Sequence, residues 1–351
     1  MDTKILAYSC QPDFSEMCLN ELLAELPGCR SDGWIASGVG RLLVPCGFAE
    51  ASRRLQEKRP IFLRHIFPLD AVFALTGAPD GCREAWDFCA SLARRMEKDA
   101  PFSVQVRRFD ADDAASEAGE LARFFTGYLT ERGLVERVAA PEQVVSLVLA
   151  DGTAYAGLSR AEDNLSAWPG GMRRFARYEG QISRAEFKLL EAMETFSLPL
   201  PDNGLALDLG AAPGGWTRVL VDRGMRVVAV DPAVLSPALD RHPEVEHFRG
   251  LAQDFAALSD CRFDLIVNDM RMEVAESARL TAEFSERLRP GGFVLMTFKL
   301  PQKKRTAAIR SGLSILGRRY HLVGARQLFH NRSEITVVCV KEPVDSPPNP
   351  S

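Results

Sequence analysis

The sequence predicts an α/β protein whose C-terminal half is a doubly wound, mostly parallel sheet and whose N-terminal half consists of smaller α+β units. From about residue 183 onward, short apolar strand patterns alternate with helix patterns, as in parallel sheets connected by helices. Before that point, the hydrophobic patterns of strands and helices also alternate, but over shorter stretches and without an internal repeat. This alternation favours a layered α/β fold over an all-β or all-helical one, because parallel strands need crossover connections.

Length and composition indicate a globular protein with several domains. The chain has 351 residues, of which 46% are hydrophobic and 26% charged, and two or three domains are expected at this length. No apolar run approaches the roughly 20 residues of a membrane span, and the segment up to Gln11 is too weakly apolar for a secretory signal. The eight cysteines of the chain lack the spacing of metal ligands, so we expect reduced thiols in the core and no bound metal. Together with the preceding observations, this predicts no membrane partner and a cytoplasmic location.

The N-terminal half contains eleven predicted elements. The helices are expected at Asp13–Leu26, Phe48–Glu57, Cys82–Lys98 and Ala114–Arg132. The strands are expected at Lys4–Tyr8, Gly33–Ser37, Arg41–Cys46, Ile61–Phe67, Phe102–Arg107, Gln143–Ala150 and Thr153–Leu158. Residues 161–182 show neither period and are predicted to be a linker, and the Pro-rich tail 343–351 is predicted to be disordered.

The C-terminal half, residues 183–342, contains ten predicted elements. The helices are expected at Arg184–Phe196, Trp216–Arg223, Ser277–Leu288 and Lys303–Arg318. The strands are expected at Leu205–Leu209, Arg226–Val230, Val245–Phe248, Phe263–Val267, Phe293–Phe298 and Ile335–Val340. Ligands of such sheets bind at the carboxyl ends of the strands.

A glycine-rich turn follows the first strand of this half, with the sequence D-L-G-A-A-P-G-G-W-T from Asp208 to Thr217. Glycines let the backbone approach a ligand closely, and the following helix presents free N–H groups. The dinucleotide fingerprint G-x-G-x-x-G is not matched, because Ala212 holds the second glycine position and Pro213 follows it. This mismatch disfavours a nucleotide-dependent oxidoreductase.

Four charged residues are expected at the edge of the predicted sheet where ligands bind. Lys188 belongs to the helix before the first strand, while the other three follow or begin strands: Asp269, Lys299 and Glu334. Strand ends from distant parts of the chain converge on one crevice in this architecture. We therefore expect two amines and two carboxylates in one pocket, whereas separate surface ion pairs would each contribute only about 0–1 kcal/mol.

These motifs resemble a known family. D-L-G-A-x-P-G-G-[WF] is similar to the first motif of S-adenosylmethionine-dependent methyltransferases, and the Lys188–Asp269–Lys299–Glu334 set with the run S-R-A-E-F-K-L resembles the FtsJ-like ribose 2'-O-methyltransferases. The segments 299–305 and 325–334 narrow the resemblance to the RlmM type, which methylates a cytidine ribose of 23S ribosomal RNA. Departures occur at Ala212, where a cysteine is expected, and at Ser333, where an acid is expected.

The resemblance implies a Rossmann-like methyltransferase domain at 183–342, preceded by a ferredoxin-like unit at 1–70 and a THUMP-like RNA-binding unit at 71–160. It implies S-adenosylmethionine as cofactor, with Asp231 accepting the ribose hydroxyls and Asp254, at the end of the third strand, contacting the adenine. The implied cofactor-binding residues are Ser183, Gly210, Ala211, Ala212, Pro213, Gly214, Gly215, Trp216, Asp231, Asp254 and Asp269.

The chemistry of ribose methylation assigns roles to the four charged residues. A ribose hydroxyl is a poor nucleophile, so the site must align it with the activated methyl group and remove its proton. A free lysine has a pKa of about 10.4, but burial and the charge of Lys188 should favour the neutral amine of Lys299. We expect Lys299 to be the general base, with Lys188, Asp269 and Glu334 as positioning and electrostatic partners.

RNA contact is expected from the distribution of basic residues, although the net charge of the chain is −4. Residues 299–332 contain nine Lys or Arg and no acid, which makes the local surface positive. The candidate phosphate contacts are Arg173, Arg174, Arg177, Lys303, Lys304, Arg305 and Arg310. Trp168 has two interpretations, packing or RNA contact, whereas Phe14, Phe62 and Trp34 are expected in the core.

Other functions fit less well. Base N-methylation usually comes with an Asn/Asp-Pro-Pro-aromatic run after the fourth strand, but here Asn268-Asp269-Met270-Arg271 occurs. Methylation at C5 of a pyrimidine needs a nucleophilic cysteine, whereas Cys261 and Cys339 are expected in the core. The remaining alternative is a non-enzymatic RNA-binding or ribosome assembly factor on a methyltransferase scaffold.

Overall fold

A computed structural model describes residues 4–75, 77–109 and 115–342, which form two compact units. The first unit is Met1–Arg173 and the second is Arg174–Ser351. The boundary falls within the predicted linker. The predicted disordered tail 343–351 lies outside the described residues.

The first sheet of the N-terminal unit has four antiparallel strands in the order β2-β3-β1-β4. Its elements are β1 (Lys4–Ser9), α1 (Ser15–Glu25), β2 (Arg30–Ala36), β3 (Val39–Val44), α2 (Phe48–Glu57) and β4 (His65–Pro68). Phe14 and Phe62 are buried together, as predicted, with ring centroids 4.8 Å apart. Gly40 is required because a Cβ there would collide with the ring of Tyr8, its cross-strand partner.

Trp34 does not belong to this core, so its predicted burial is wrong. It lies on the edge strand β2 with 45% of its surface exposed. Its ring makes an edge-on contact with Tyr8, with 5.7 Å between the centroids. An edge strand has no neighbour on one side, which leaves such a ring open to solvent.

The second sheet has the order β5-β8-β7-β6. Its elements are β5 (Ala71–Ala74), α3 (Arg83–Arg95), β6 (Phe102–Arg108), α4 (Ala115–Thr130), β7 (Gln143–Ala150) and β8 (Thr153–Arg160). The pair β7–β8 is a hairpin whose two turn residues, Asp151 and Gly152, both have positive φ, as a type I′ turn requires. The sheets lie within 4–68 and 71–160, but the division into two domains remains a prediction because both belong to one compact unit.

The first part of the predicted linker is packed onto the N-terminal unit. Ser9 Oγ donates to the carbonyl of Gly170 at 2.8 Å, and Gln105 Nε2 donates to the carbonyl of Ala167 at 3.0 Å. Gly171 lies so close to Arg64 that a Cβ would come within 2.7 Å of the Cβ of Arg64. Side-chain hydrogen bonds rather than an apolar period hold this segment, which explains why the sequence shows no periodic pattern there.

The C-terminal unit is built on a seven-stranded sheet in the order β11-β10-β9-β12-β13-β15-β14. Its strands are β9 (Leu205–Leu209), β10 (Arg226–Val230), β11 (Val245–Phe248), β12 (Phe263–Asn268), β13 (Leu288–Lys299), β14 (His321–Arg326) and β15 (Glu334–Val340). Its helices are α5 (Ala185–Phe196), α6 (Gly215–Asp222), α7 (Pro237–Asp240), α8 (Ala252–Leu258), α9 (Val274–Glu283) and α10 (Arg305–Leu316).

The strand order confirms the predicted doubly wound, mostly parallel sheet. Neighbouring strands from β11 to β13 pair in parallel, while β15 runs antiparallel between β13 and β14. The chain order reverses between β9 and β12, and ligands of such sheets bind beyond the carboxyl ends of the strands at this point.

Several elements differ from the sequence patterns. The predicted helix Ser277–Leu288 is instead α9, which begins at Val274 and ends at Glu283, and β13 already begins at Leu288. The edge strand β14 was not predicted, because three of its six residues are exposed and the alternation is broken. Cys261 is exposed before β12, so its predicted core position is wrong, whereas Cys339 is buried in β15.

Candidate active site

The topology of the sheet brings the four predicted charged residues together. Asp269 directly follows β12, and Lys299 ends the neighbouring strand β13. Since β15 runs antiparallel to β13, its first residue, Glu334, is the direct cross-strand partner of Lys299. Lys188 reaches the same edge from α5.

Each of the two amines contacts both carboxylates. Lys188 Nζ lies 2.6 Å from Glu334 Oε1 and 3.1 Å from Asp269 Oδ2. Lys299 Nζ lies 2.7 Å from Glu334 Oε2 and also contacts Asp269 Oδ1. The four groups therefore form a closed ring of alternating charge, which we call the tetrad.

The tetrad is largely removed from solvent, and its side chains are 9–22% exposed. Burial alone would raise the pKa of Asp269, but the ammonium groups of Lys299 and Lys188 outweigh it and hold the pKa below its ordinary value. Burial would lower the pKa of Lys188, but Asp269 and Glu334 hold it above its ordinary value. At neutral pH Lys188 is therefore an ammonium ion.

Two further polar residues fix Asp269, and the sequence analysis missed both. Thr297 Oγ1 donates to Asp269 Oδ1 at 2.7 Å. Asn268 is fully buried, where it donates to Ser277 and Thr281 and accepts the backbone N–H of Met270 at 3.0 Å. The position of Thr297, two residues before Lys299 on the same strand, could have indicated it, because alternate strand residues share a face.

A cavity of about 390 Å³ lies above the glycine-rich turn. Nine of the predicted cofactor-binding residues line it: Ser183, Gly210, Ala211, Ala212, Pro213, Gly215, Trp216, Asp231 and Asp269. Asp231 ties the turn to the end of β10, because its carboxylate accepts the backbone N–H groups of Ala212 at 3.0 Å and Ala233 at 2.8 Å. A Cβ at Gly215 would collide with Ser183 Oγ. The segment that contains Ser183 can therefore approach the start of α6 closely only because residue 215 is a glycine.

Two predicted cofactor-binding residues lie elsewhere. Gly214 faces Leu239, with which a Cβ would collide, so its conformation at φ +109° serves the packing of the turn. Asp254 lies exposed on α8, six residues beyond the end of β11, and does not line the cavity. The predicted position of Asp254 at the strand end is wrong, because β11 ends at Phe248 and a loop and helix α8 follow it.

Asp208 forms part of the wall of the same cavity, although it was not among the predicted residues. It is buried at the end of β9, where Thr217 Oγ1 donates to it at 2.7 Å. Burial raises the pKa of this carboxyl to about 7. Together with Asp231 and Asp269 it gives the cavity three carboxyl groups against one arginine, Arg271. A ligand that carries positive charge fits such a wall.

A second cavity, of about 660 Å³, adjoins the first and contains all four tetrad residues. The two cavities share Asp269 and four other residues, namely Ser183, Ala185, Pro213 and Arg271. Phe187, Phe329 and His330 form an aromatic part of the second cavity, and the rings of Phe187 and His330 are 5.2 Å apart. The tetrad thus lies where the two cavities meet.

Helix α5 holds the loops on both sides of the tetrad. Glu186 is fully buried and accepts the backbone N–H groups of Ile182 at 2.6 Å and Ser183 at 3.0 Å. Glu191 accepts the backbone N–H groups of Phe329 and His330, both at 2.8 Å. The wall residues of both cavities are therefore anchored to the helix that carries Lys188.

The predicted RNA-binding residues are dispersed. Arg177 lines the second cavity. Arg173 belongs to the N-terminal unit, where its guanidinium lies 4.1 Å above the ring of Trp168. The remaining positions lie outside both cavities and are mostly exposed: Arg174, Lys303, Lys304, Arg305 and Arg310.

Neither a metal centre nor a membrane helix is found among residues 4–75, 77–109 and 115–342. No three His, Cys, Asp or Glu side chains in these ranges are grouped as metal ligands. No helix in them combines the length and the apolarity of a membrane span.

Comparison with known proteins identifies the class. Residues 181–309 match the family of FtsJ-like methyltransferases, a range that contains the glycine-rich turn and three of the four tetrad residues. The C-terminal unit is therefore a methyltransferase domain of this class.

The family follows from relatives that extend over most of the chain. Ribosomal RNA large subunit methyltransferase M from Marinobacter nauticus is 31% identical over 96% of this chain and 98% of its own length. The same enzyme from Halorhodospira halophila is 33% identical over 75% of this chain and 76% of its own length, and that from Xylella fastidiosa is 30% identical over 95% and 97%. The chain belongs to the ribosomal RNA large subunit methyltransferase M family, which confirms the predicted resemblance.

Proposed function

We propose that this enzyme transfers a methyl group from S-adenosylmethionine to the ribose 2'-hydroxyl of a cytidine in 23S ribosomal RNA, with Lys299 as general base. The observation that carries the proposal is the position of the tetrad at the junction of two cavities. A donor in the first cavity and an acceptor in the second would meet at this junction. The names of the relatives support ribosomal RNA as the acceptor.

The residues of the first cavity fit S-adenosylmethionine, which supplies a methyl group activated on a positively charged sulfur. Asp231 presents a carboxylate at the end of β10, where a ribose can donate two hydrogen bonds. Gly210 and Gly215 let the backbone of the turn pack closely against Met270 and Ser183. The excess of carboxyl groups over basic groups suits a cofactor with both a sulfonium and an ammonium group.

The tetrad would position the acceptor and receive its proton. The 2'-hydroxyl would donate to Nζ of neutral Lys299, which would take its proton as the bond from oxygen to the methyl carbon forms and the bond from that carbon to the sulfur of the cofactor breaks. Lys188 remains an ammonium ion between Asp269 and Glu334, so the tetrad with neutral Lys299 has a net charge of −1. This charge favours the cationic cofactor in the adjoining cavity.

RNA contacts outside the cavities are proposed for the exposed basic positions. Lys303, Lys304, Arg305 and Arg310 lie in the segment 299–332, which is free of acids. Arg173, Arg174 and Arg177 lie near the boundary of the two units, and the N-terminal unit would act as the THUMP-like RNA-binding part. All eight cysteines are free, which supports work in the reducing cytoplasm.

The assignment of Lys299 is tested with Lys299→Ala. We expect methyl transfer to unmodified 23S ribosomal RNA to fall by about 10²–10⁴-fold, because a positioned general base contributes this much. Calorimetry should show cofactor binding close to that of the unchanged protein, since Lys299 does not line the first cavity. Mapping of ribose methylation by mass spectrometry identifies the nucleotide.

The matched control for the catalytic test is Lys98→Ala, which removes an exposed lysine that lines neither cavity. It should leave turnover at saturating RNA near normal. Near-normal turnover of Lys299→Ala would contradict the base assignment. An unchanged protein that binds RNA tightly but yields no methylated ribose would instead favour the assembly-factor alternative.

A further inference from the structure

The tetrad cavity contains four arginines that come from separate loops. Arg177 precedes α5, Arg184 lies directly before its first residue, Arg271 follows β12 and Arg332 precedes β15. All four are exposed, and all line the cavity. The sequence analysis singled out only Arg177, because the other three are isolated in the sequence and meet only in the folded sheet.

These four arginines lack the partners that other arginines of this unit have. Arg218 is paired with Asp222 at 2.8 Å, and Arg287 donates to the carbonyl of Ser259 at 2.7 Å. By contrast, none of the four cavity arginines forms an ion pair with a carboxylate in the part of the chain that the structure describes. The two cavity carboxylates, Asp269 and Glu334, are already paired with the tetrad lysines.

The cavity therefore has an excess of positive charge, since its four arginines outweigh the net charge of −1 that the tetrad has with neutral Lys299. Like charges that line one cavity without counter-ions repel one another, so the cavity favours the binding of an anion. Guanidinium groups form bidentate hydrogen bonds with phosphate oxygens. The adjoining cavity is rich in carboxyl groups, which directs an anionic ligand to the tetrad side.

We propose that Arg177, Arg184, Arg271 and Arg332 bind the phosphates on both sides of the acceptor nucleotide and so bring its ribose to the tetrad. Phe329 and His330 offer aromatic surface to the base in the same cavity, whose volume of about 660 Å³ lies in the range of ligand sites. Arg271 alone of the four lines both cavities, so it binds the phosphate next to the reacting oxygen. This inference rests on the proposed function.

The test is the salt dependence of RNA binding by the full chain. Binding of a 23S ribosomal RNA transcript is measured between about 50 and 200 mM salt, a range over which phosphate contacts make the affinity fall steeply. Each substitution Arg271→Gln, Arg332→Gln and Arg184→Gln should reduce the slope of log K against log salt by about 0.7, the value for one phosphate contact of a single strand. Affinity should fall by about tenfold or more, as for other charged hydrogen bonds.

The kinetic consequence separates binding from chemistry. The same phosphate contacts exist before and during methyl transfer, so KM for RNA should rise while kcat changes little. Arg271→Lys should restore part of the affinity, because it keeps the charge but loses the bidentate geometry. Arg226→Gln is the matched control. This exposed arginine is the first residue of β10 and lies at the amino ends of the strands, whereas the cavities lie at their carboxyl ends.

The outcomes distinguish the two proposals. If the unchanged protein methylates ribose but the three cavity variants keep its salt slope and KM, the arginine inference is wrong and the proposed function stands. If Arg226→Gln reduces the slope as much as they do, the effect reflects general charge and the inference is wrong. If the unchanged protein forms no methylated ribose, the proposed function fails regardless of the slopes.

Discussion

Two aspartates near the junction of the cavities have pKa values displaced in opposite directions. Both are largely buried, and burial alone raises the pKa of each. Asp269 is held below its ordinary value because Lys299 and Lys188 contact it directly. Asp208 accepts a hydrogen bond from a hydroxyl group, but burial and the nearby carboxylates of Asp269 and Asp231 raise its pKa to about 7. The neighbours, not the residue type, decide the charge.

The raised pKa of Asp208 predicts a specific pH dependence of stability. The folded protein retains the proton up to about pH 7, whereas an unfolded aspartate loses it near pH 3.9. The stabilisation associated with this proton is therefore present at low pH and is lost as pH rises toward 7. Asp208→Asn should remove this dependence, which amounts to at most roughly 4 kcal/mol.

The measurement is urea unfolding of both proteins at about pH 4.5 and about pH 7.5. These values lie just above the pKa of the unfolded aspartate and of the folded Asp208, respectively. Between these values the free energy of unfolding should decrease more in the unchanged protein than in Asp208→Asn. Parallel decreases in both proteins would show that the Asp208 carboxyl titrates normally.

Thr297 should matter through Asp269 alone. In Thr297→Val the hydrogen bond to Asp269 Oδ1 is lost while the shape of the side chain is kept. We expect a loss of about 1.5–3 kcal/mol in the free energy of unfolding, the usual contribution of a hydrogen bond to a charged group. Because Asp269 contacts Lys299, kcat should fall as well.

Thr306→Val, on the exposed side of α10, is the control for Thr297→Val and should change neither stability nor turnover by a measurable amount. Unchanged kcat of Thr297→Val would mean that Asp269 keeps its position without this hydrogen bond.

At the scale of elements, α5 is the scaffold of the site. Within two turns it supplies Glu186, Lys188 and Glu191, which hold the loop of the first cavity, the tetrad and the loop of the second cavity in turn. Movement of this helix would displace all three at once. The order of these residues along one rigid helix therefore couples the geometry of both cavities.

Glu191→Ala should loosen the loop that contains Phe329 and His330, because two backbone N–H groups lose their acceptor. We expect faster hydrogen exchange at these two amides and a higher KM for RNA. Cofactor affinity should stay near normal, since neither residue lines the first cavity.

Glu191→Gln keeps one acceptor oxygen and should show an intermediate effect. Unchanged exchange at Phe329 and His330 in Glu191→Ala would show that other contacts hold the loop.

At the scale of the whole molecule, each unit presents a separate candidate RNA surface. In the C-terminal unit it is the arginine-lined cavity. In the N-terminal unit it is Trp168, which is 41% exposed beneath the guanidinium of Arg173. An exposed indole can stack on any base, and an adjacent arginine adds affinity for the backbone.

Trp168→Ala should therefore weaken RNA binding by about 1–3 kcal/mol, the usual contribution of stacking on one base. Cofactor binding should be unaffected. Trp34→Ala is a matched control, because Trp34 is similarly exposed in the same unit. Equal losses of RNA affinity in both variants would contradict a specific role for Trp168.

The sequence analysis located best those elements whose residues are buried on both faces. The strands β7, β9 and β10 begin and end as predicted, because short apolar runs bounded by turns identify strands within an α/β sheet. The sequence analysis did not predict the edge strand β14 or the correct end of α9. Their boundaries depend on neighbours from other parts of the chain.

The sequence by itself determined the alternation of strands and helices, the glycine-rich turn and the identity of the four tetrad residues, because backbone periods and motifs are local properties. Only the tertiary structure decided that Lys299 faces Glu334 across two strands, that Asp254 lies away from the cavity and that four distant arginines converge. Strand order and register set these distances. They depend on packing between segments far apart in the chain, which no local pattern records.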